Sequence, residues 1–315
     1  MDLTTRIWLH YVTGDGAPLS ARPLDELRRE ANRVAALGGA PVELHRVWDT
    51  VIDRRRGPRL RVRCYRPAAD RPTGTLVYFH GGGWTLGSIE SHDPVCRVLA
   101  REARCLVVSV DYRLAPDCRF PAAFDDGVDA TQWALANADG LGSPRIVAVG
   151  GDSAGGNLAA AVALWSRDVS GPPLCSQLLV CPAVGDPRVQ SASYREFGSG
   201  YFLTAEDIEW FWGNYRRGAD DERNPYALPL QASDFAGLPR AIVLTAEFDP
   251  LRDDGERYAA KLREAGVPVH LKRYEGTFHG FWNMAGVLDS GRDALAEAGA
   301  QLRQAFEQFA ARGAS

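Results

Sequence analysis

Ile146-Val147-Ala148-Val149-Gly150-Gly151-Asp152-Ser153-Ala154-Gly155-Gly156-Asn157-Leu158-Ala159-Ala160-Ala161-Val162-Ala163-Leu164 is the stretch on which the fold turns. The run 146–149 fits a short buried strand, and 157–164 fits an apolar helix. Between them lies Gly151-x-Ser153-x-Gly155. A tight strand-to-helix turn of this kind strains the serine backbone and lifts Oγ above the sheet. Glycines flank it because a Cβ would meet neighbouring backbone. The helix that follows aims free N–H groups at the site and favours negative charge there. An ordinary turn rich in small residues would share the pentapeptide. The strand before it and the helix after it favour a nucleophile at Ser153.

Working outward, Leu76-Val77-Tyr78-Phe79, Cys105-Leu106-Val107-Val108-Ser109-Val110, Leu178-Leu179-Val180-Cys181 and Ala241-Ile242-Val243-Leu244 are also short, nearly continuous apolar runs. Val267-Pro268-Val269-His270-Leu271 is similar, and its proline marks an edge strand. Helical stretches fall around 92–103, 121–137, 154–167, 253–265 and 290–311. Strands buried on both faces and alternating with helices predict a mostly parallel sheet with helices on each side. Two earlier segments, 42–47 and 60–65, alternate with period two and predict an antiparallel start to that sheet. Residues 23–37 carry apolar positions at helical spacing. From about 186 to 235 no strand is legible and aromatic residues concentrate. Thr204 and Asp207 there resemble a helix N-terminal capping signal.

His80-Gly81-Gly82-Gly83-Trp84 directly follows the run 76–79. Successive glycines let backbone amides turn toward an oxyanion, and one such donor lowers an acyl-transfer barrier by roughly 3–4 kcal/mol. A flexible glycine loop is the plainer reading, but its place after a strand and upstream of the serine turn favours the first. His80 is expected to orient this loop. A nucleophilic serine needs a base, and the base an orienting carboxylate. Of six histidines, His279 alone follows the last strand and precedes the last helix. That is where the base belongs when the chain order is serine, acid, histidine. For the acid, Glu247, Asp249, Asp253 and Asp254 follow the run 241–244. Asp249 lies where a short side chain projects from a strand end, Asp253 and Asp254 fit the first turn of a helix, and Glu247 is the runner-up.

Taken together, HGGGW, SHDPVCRVLA, DYRLAPD, GDSAGGNLAA, EFDPLRDDG and YEGTFHGF, in order across 80–281, resemble the bacterial esterases similar to hormone-sensitive lipase. The resemblance implies an α/β-hydrolase fold across the whole of 1–315: a mostly parallel twisted sheet of about eight strands, flanked by helices and with a helical cap. It places the cap at about 1–40 and 186–235, and the catalytic core at about 41–185 and 236–315. It implies oxyanion amides at Gly82, Gly83 and Ala154, beside a triad of Ser153, Asp249 and His279. Trp84, Tyr201, Phe202, Trp210 and Phe281 are the expected substrate-lining aromatics. Asp117 departs from the family's usual Glu, in a segment with a structural role.

The activity expected is hydrolysis of short- to medium-chain carboxylic esters through an acyl-enzyme, with no metal or organic cofactor. A small-molecule amidase or arylformamidase on the same site is the alternative, and a non-catalytic ligand receptor a remoter one. A net charge of −4 leaves no footprint for nucleic acid. The Arg54-Arg55-Arg56 run reads as a solvated turn. Six cysteines form no C-x-x-C pair and read mostly as buried hydrophobes. With no signal-peptide pattern and no long apolar run, the expectation is a cytoplasmic monomer or homodimer that engages no membrane.

Overall fold

The computed structural model describes residues 1–13, 18–55 and 57–313. Its sheet contains β1 (Arg46–Ile52), β2 (Leu60–Arg66), β3 (Thr75–Phe79), β4 (Leu106–Val110), β5 (Val147–Asp152), β6 (Gln177–Val180), β7 (Ala241–Phe248) and β8 (Val269–Phe278), in the spatial order β1-β2-β4-β3-β5-β6-β7-β8. β1 pairs antiparallel with β2 and β2 with β4, and the remaining pairs are parallel. Every residue of β3, β4, β5 and β6 is buried, which is why those strands read as unbroken apolar runs.

The helices are α1 (Leu3–Thr13), α2 (Leu24–Arg33), α3 (Asp93–Ala103), α4 (Ala122–Ala136), α5 (Ala154–Asp168), α6 (Ala192–Phe197), α7 (Ala205–Tyr215), α8 (Arg252–Glu264) and α9 (Asp289–Gly313). Alternate strand residues feed two cores. Val77, Phe79, Val108, Val149, Leu179 and Val243 pack with α4, α5 and α8 on one face. Leu76, Tyr78, Val107, Leu178, Ile242 and Leu244 pack with α3 and α9 on the other.

Chain order reverses direction across the sheet at β3, whose neighbours are β4 on one side and β5 on the other. Ligands of open α/β sheets bind outside the carboxyl ends of the strands at such a switch point. Phe79 pairs with Gly151, so the loop leaving β3 and the turn leaving β5 emerge side by side.

Several sequence expectations shift here. The first strand occupies Arg46–Ile52 rather than 42–47, because those residues are the ones that find ladder partners on β2, from Arg46 opposite Arg66 to Ile52 opposite Leu60. β8 runs on to Phe278, through residues that read as a loop, and it is the sheet edge its proline foretold. α1 carried no recognised signal. The arginine run is not simply solvated: the Arg54 side chain is 5% exposed and pairs with buried Asp126 at 3.0 Å, and Arg55 pairs with Asp129. Arg56 lies outside the described residues. The region 186–235 contains no strand, and α7 opens with a full capping box between Thr204 and Asp207.

A Cβ added at Gly155 would overlap the backbone carbonyl oxygen of Phe79, whereas one at Gly213, on exposed α7 surface, would meet nothing within 4 Å. Gly155→Ala should therefore cost about 3 kcal/mol or more. Gly213→Ala should gain roughly 0.5–1 kcal/mol. Chemical denaturation of the two variants checks both signs.

Candidate active site

Ser153 caps α5 with φ 54° and ψ −118°, a conformation that L-residues rarely adopt. Such strain costs of order 1–3 kcal/mol and persists only where neighbours over-determine it. Here the Ser153 amide donates to Val180 O at 2.8 Å, and the Ala183 amide donates to Ser153 O at 3.1 Å. The side chain, released from capping its own helix, meets His279: Oγ and Nε2 are 3.1 Å apart.

His279 is the first residue beyond β8, and Asp249 the first beyond β7. Nδ1 of His279 lies 2.8 Å from Asp249 Oδ2, while Asp249 Oδ1 accepts the Leu251 amide at 2.8 Å. Asp249 is fully buried and His279 nearly so. Burial by itself pushes the imidazole pKa down, but the Asp249 charge and hydrogen bond outweigh it, and the pKa is raised above its ordinary value. The carboxylate also selects the tautomer with hydrogen on Nδ1, leaving Nε2 bare toward the serine.

The competing carboxylates are spent elsewhere. Glu247 lies within β7 and accepts the Gly276 amide at 2.6 Å. Asp253 accepts the Ser193 amide at 2.8 Å. Asp254 sits in the first turn of α8, where burial pushes its pKa up to about 6. Cys181, Asp249 and His279 bring ligand-type atoms within 4.8 Å of one another, the one such grouping among the described residues. Its carboxylate and imidazole already satisfy each other.

On the other side of Ser153 lies the loop 80–87. Gly82 has φ 113°, and a Cβ there would strike the Leu86 carbonyl. Among the described residues, none of the amides of Gly82, Gly83 and Ala154 donates to a protein acceptor. Ala154 directly follows the serine, and Gly82 and Gly83 lie on the loop that leaves the neighbouring strand β3. His80 is fully buried and stacks on Tyr112 at 4.2 Å, and its Nδ1 lies 2.8 Å from Gly81 O. Burial and the neighbouring His92 drive its pKa down to about 3, so it remains neutral.

The aromatic expectations divide. Phe202 is 39% exposed and lies over Gly280, next to His279. Tyr201 stacks on Phe248 at 5.2 Å, and half-buried Trp210 packs against Phe211. Phe281 is a correction: it is fully enclosed against Tyr274 within the α9-side core, with no face left for substrate. Trp84 is likewise 5% exposed, its ring stacked on Tyr215 at 4.3 Å. Phe211, not among the expected lining residues, is the α7 side chain that sits directly on Gly83. Helical spacing alone could not tell which of Trp210, Phe211 and Trp212 faces the loop.

The α/β-hydrolase fold family matches residues 76–283, a span that contains the serine turn, the glycine loop and both triad partners. The chain belongs to that family. It is 46% identical over 229 residues to the carboxylic ester hydrolase LipN of Mycobacterium tuberculosis, a match covering 70% of this chain and 61% of LipN. It is 38% identical over 290 residues to an ethyl acetate hydrolase of Pseudomonas putida, covering 90% of each. The solved hyperthermophilic esterase from the archaeon Pyrobaculum calidifontis superposes with a TM-score of 0.91 at 39% identity, over 96% of this chain and 98% of that one.

Because Asp249 is the carboxylate that, among the described residues, hydrogen-bonds the imidazole, Asp249→Asn should lower kcat by about 10⁴ through tautomer reversal. Asp253→Asn and Asp254→Asn should stay within roughly tenfold of the parent. With the His279 pKa raised, kcat/KM should fall as pH drops through a value above about 6.5 and recover on the alkaline side. Steady-state kinetics of the variants and a pH profile of the parent test these outcomes.

Proposed function

We propose that this chain is a carboxylesterase for small acyl esters in which Ser153 attacks, His279 transfers the proton and Asp249 holds the imidazole. The observation that carries the reading is the unbroken relay from Asp249 Oδ2 through His279 to Ser153 Oγ, at 2.8 and 3.1 Å. His279 Nε2 takes the serine proton as Oγ adds to the ester carbonyl. The amides of Gly82, Gly83 and Ala154 receive the oxyanion. Protonated His279 gives its proton to the departing alcohol, and a water activated by the same nitrogen releases the acid. Every proton that leaves Oγ or water passes through one nitrogen, so no further acid or base is needed.

The helices over the strand ends act as a cap in this proposal. Leu19 and Ser20 hydrogen-bond to Asp207 and Glu206 of α7. Arg28 of α2 donates to the Thr85 and Ala115 carbonyls and pairs with Asp117 at 2.8 Å. The cap therefore grips the loop that carries the oxyanion amides, and Asp117 serves as its anchor. Phe202 lies on Gly280, beside His279, and Phe211 on Gly83 of the oxyanion loop, and in this proposal the two rings limit the acyl group to short and medium chains. No described helix is long and apolar enough to cross a membrane. The proposal is of an enzyme for dissolved esters, working in the cytoplasm as a monomer or homodimer.

Ser153→Ala should remove nearly all turnover, by about 10⁶ in kcat, with the fold retained. Across nitrophenyl esters of increasing acyl length, kcat/KM should rise over the first few carbons, by roughly 0.8 kcal/mol for each methylene buried, and then fall. Amides matched to the best esters should be turned over far more slowly, and EDTA should leave the rate unchanged. A profile still rising at long chains, or an amide preference, would replace this substrate assignment.

A further inference from the structure

Against Gly81 of the oxyanion loop and Asp152 of β5 lies a buried polar cluster that the chemistry above does not use. His92 immediately precedes α3, and its ring is 5% exposed. Its Nε2 faces three atoms at once: the Gly81 amide nitrogen at 3.2 Å, and Asp152 Oδ1 and Oδ2 at 3.2 Å each. Its Nδ1 lies 2.8 Å from Ser91 Oγ. Ser91 Oγ already donates to Ser88 O at 2.9 Å and accepts the Ser88 amide at 2.9 Å. The serine hydrogen is thereby used, so Nδ1 carries a hydrogen and donates to Oγ.

Asp152 is the residue before the nucleophile and is nearly fully buried. Its Oδ1 accepts from Tyr78 O–H at 2.6 Å and its Oδ2 from Asn283 Nδ2 at 3.3 Å. Tyr78 O–H in turn accepts from Trp282 Nε1 at 3.1 Å. A Cβ placed on Gly81 would overlap Asp152 Oδ2, so the loop backbone rests directly on this carboxylate. In either protonation state the ring ties the same elements together. A bare Nε2 accepts the Gly81 amide, and a protonated one donates to Asp152, against which Gly81 lies.

We infer that His92 is a positioning residue for the hydrolytic reaction: it clamps the oxyanion loop at Gly81 to the nucleophile strand at Asp152, fixing Gly82 and Gly83 relative to Ser153. The inference rests on the triad reading above. The clamp touches neither substrate nor the reacting atoms. It acts on the distance between donors on one loop and a nucleophile on another, and a misplacement of about 1 Å there can cost a factor of about 10² in rate. A slack loop weakens the transition state, where charge sits on the oxyanion, far more than the ground state.

The test uses the full chain with Ser153→Ala, His92→Ala and His92→Gln. Stoichiometric labelling of the parent at Ser153 by an organophosphate establishes the nucleophile first. Failure at that step would reject the triad reading, and this inference with it. With Ser153 labelled, His92→Ala should lower kcat about 100-fold while KM stays within about threefold. His92→Gln, whose amide carbonyl can accept from Gly81, should recover at least tenfold of that loss. Thermal unfolding and far-UV circular dichroism establish how much of each variant is folded. If His92→Ala does not fold, the comparison of His92→Gln with the parent decides, a two- to tenfold drop in kcat at constant KM being expected. A folded His92→Ala with kcat within threefold of the parent would overturn the inference, as would a rate loss matching its unfolded fraction or a Gln variant no better than Ala.

Discussion

Two backbones meet at the centre of this protein with no side chain between them. Gly155, in the first turn of α5, lies against the carbonyl of Phe79 at the end of β3, and Gly151 approaches the same carbonyl from the end of β5. That approach lets the loop from β3 and the turn from β5 share one site. It also supplies the confinement that keeps Ser153 at positive φ. Remove the closeness and the amides of Gly82 and Gly83 no longer share a reference frame with Oγ. In the proposed mechanism these glycines are thus as much a part of the chemistry as the residues that move protons.

The same economy of distance governs the acid and base. Both sit one residue past a strand end, on neighbouring parallel strands, β7 and β8. A residue just past its strand inherits the sheet's rigidity, and the Leu251 amide on Asp249 Oδ1 leaves only Oδ2 for the imidazole. Burial and charge act in opposition on His279: the apolar setting disfavours the imidazolium, and the buried carboxylate restores it. The balance leaves an imidazole whose pKa lies above its ordinary value, as the proposed proton transfer from serine requires.

What the sequence disclosed follows from the same physics. The doubly buried strands were legible because both faces of each are apolar, and the serine turn because strand, small residues and helix occur in register. β8 beyond residue 271 was not. It is an edge strand, and Lys272, Arg273 and Glu275 break any apolar run. Thr204 and Asp207 announced α7 because a capping box is local chemistry. The positions of Trp84 and Phe281 were illegible for the opposite reason. The enclosure of Trp84 depends on Tyr215, far along the chain, and that of Phe281 on the core built around α9. A short motif can specify a turn, but it cannot specify which aromatic surface a distant helix will bring down on it.

That distinction bears on how the site can vary without losing its chemistry. The residues of the proposed triad and the glycine loop are fixed by strand ends and backbone contacts, and in that proposal a change there would alter the geometry of proton transfer or of the oxyanion donors. Phe202 and Phe211 reach the site from the 186–235 segment, which contributes no strand to the sheet. Their side chains can change size without disturbing a ladder hydrogen bond or a strand register. The segment is held to the core by the Ser193 amide on Asp253, Ser193 Oγ on the Pro250 carbonyl, Asn157 on the Ala227 carbonyl and the Phe120 amide on the Tyr215 carbonyl. The site is therefore framed in two ways, by backbones that touch at Phe79, Gly151 and Gly155 and by side chains, Phe202 and Phe211, that reach Gly280 and Gly83 from outside the sheet.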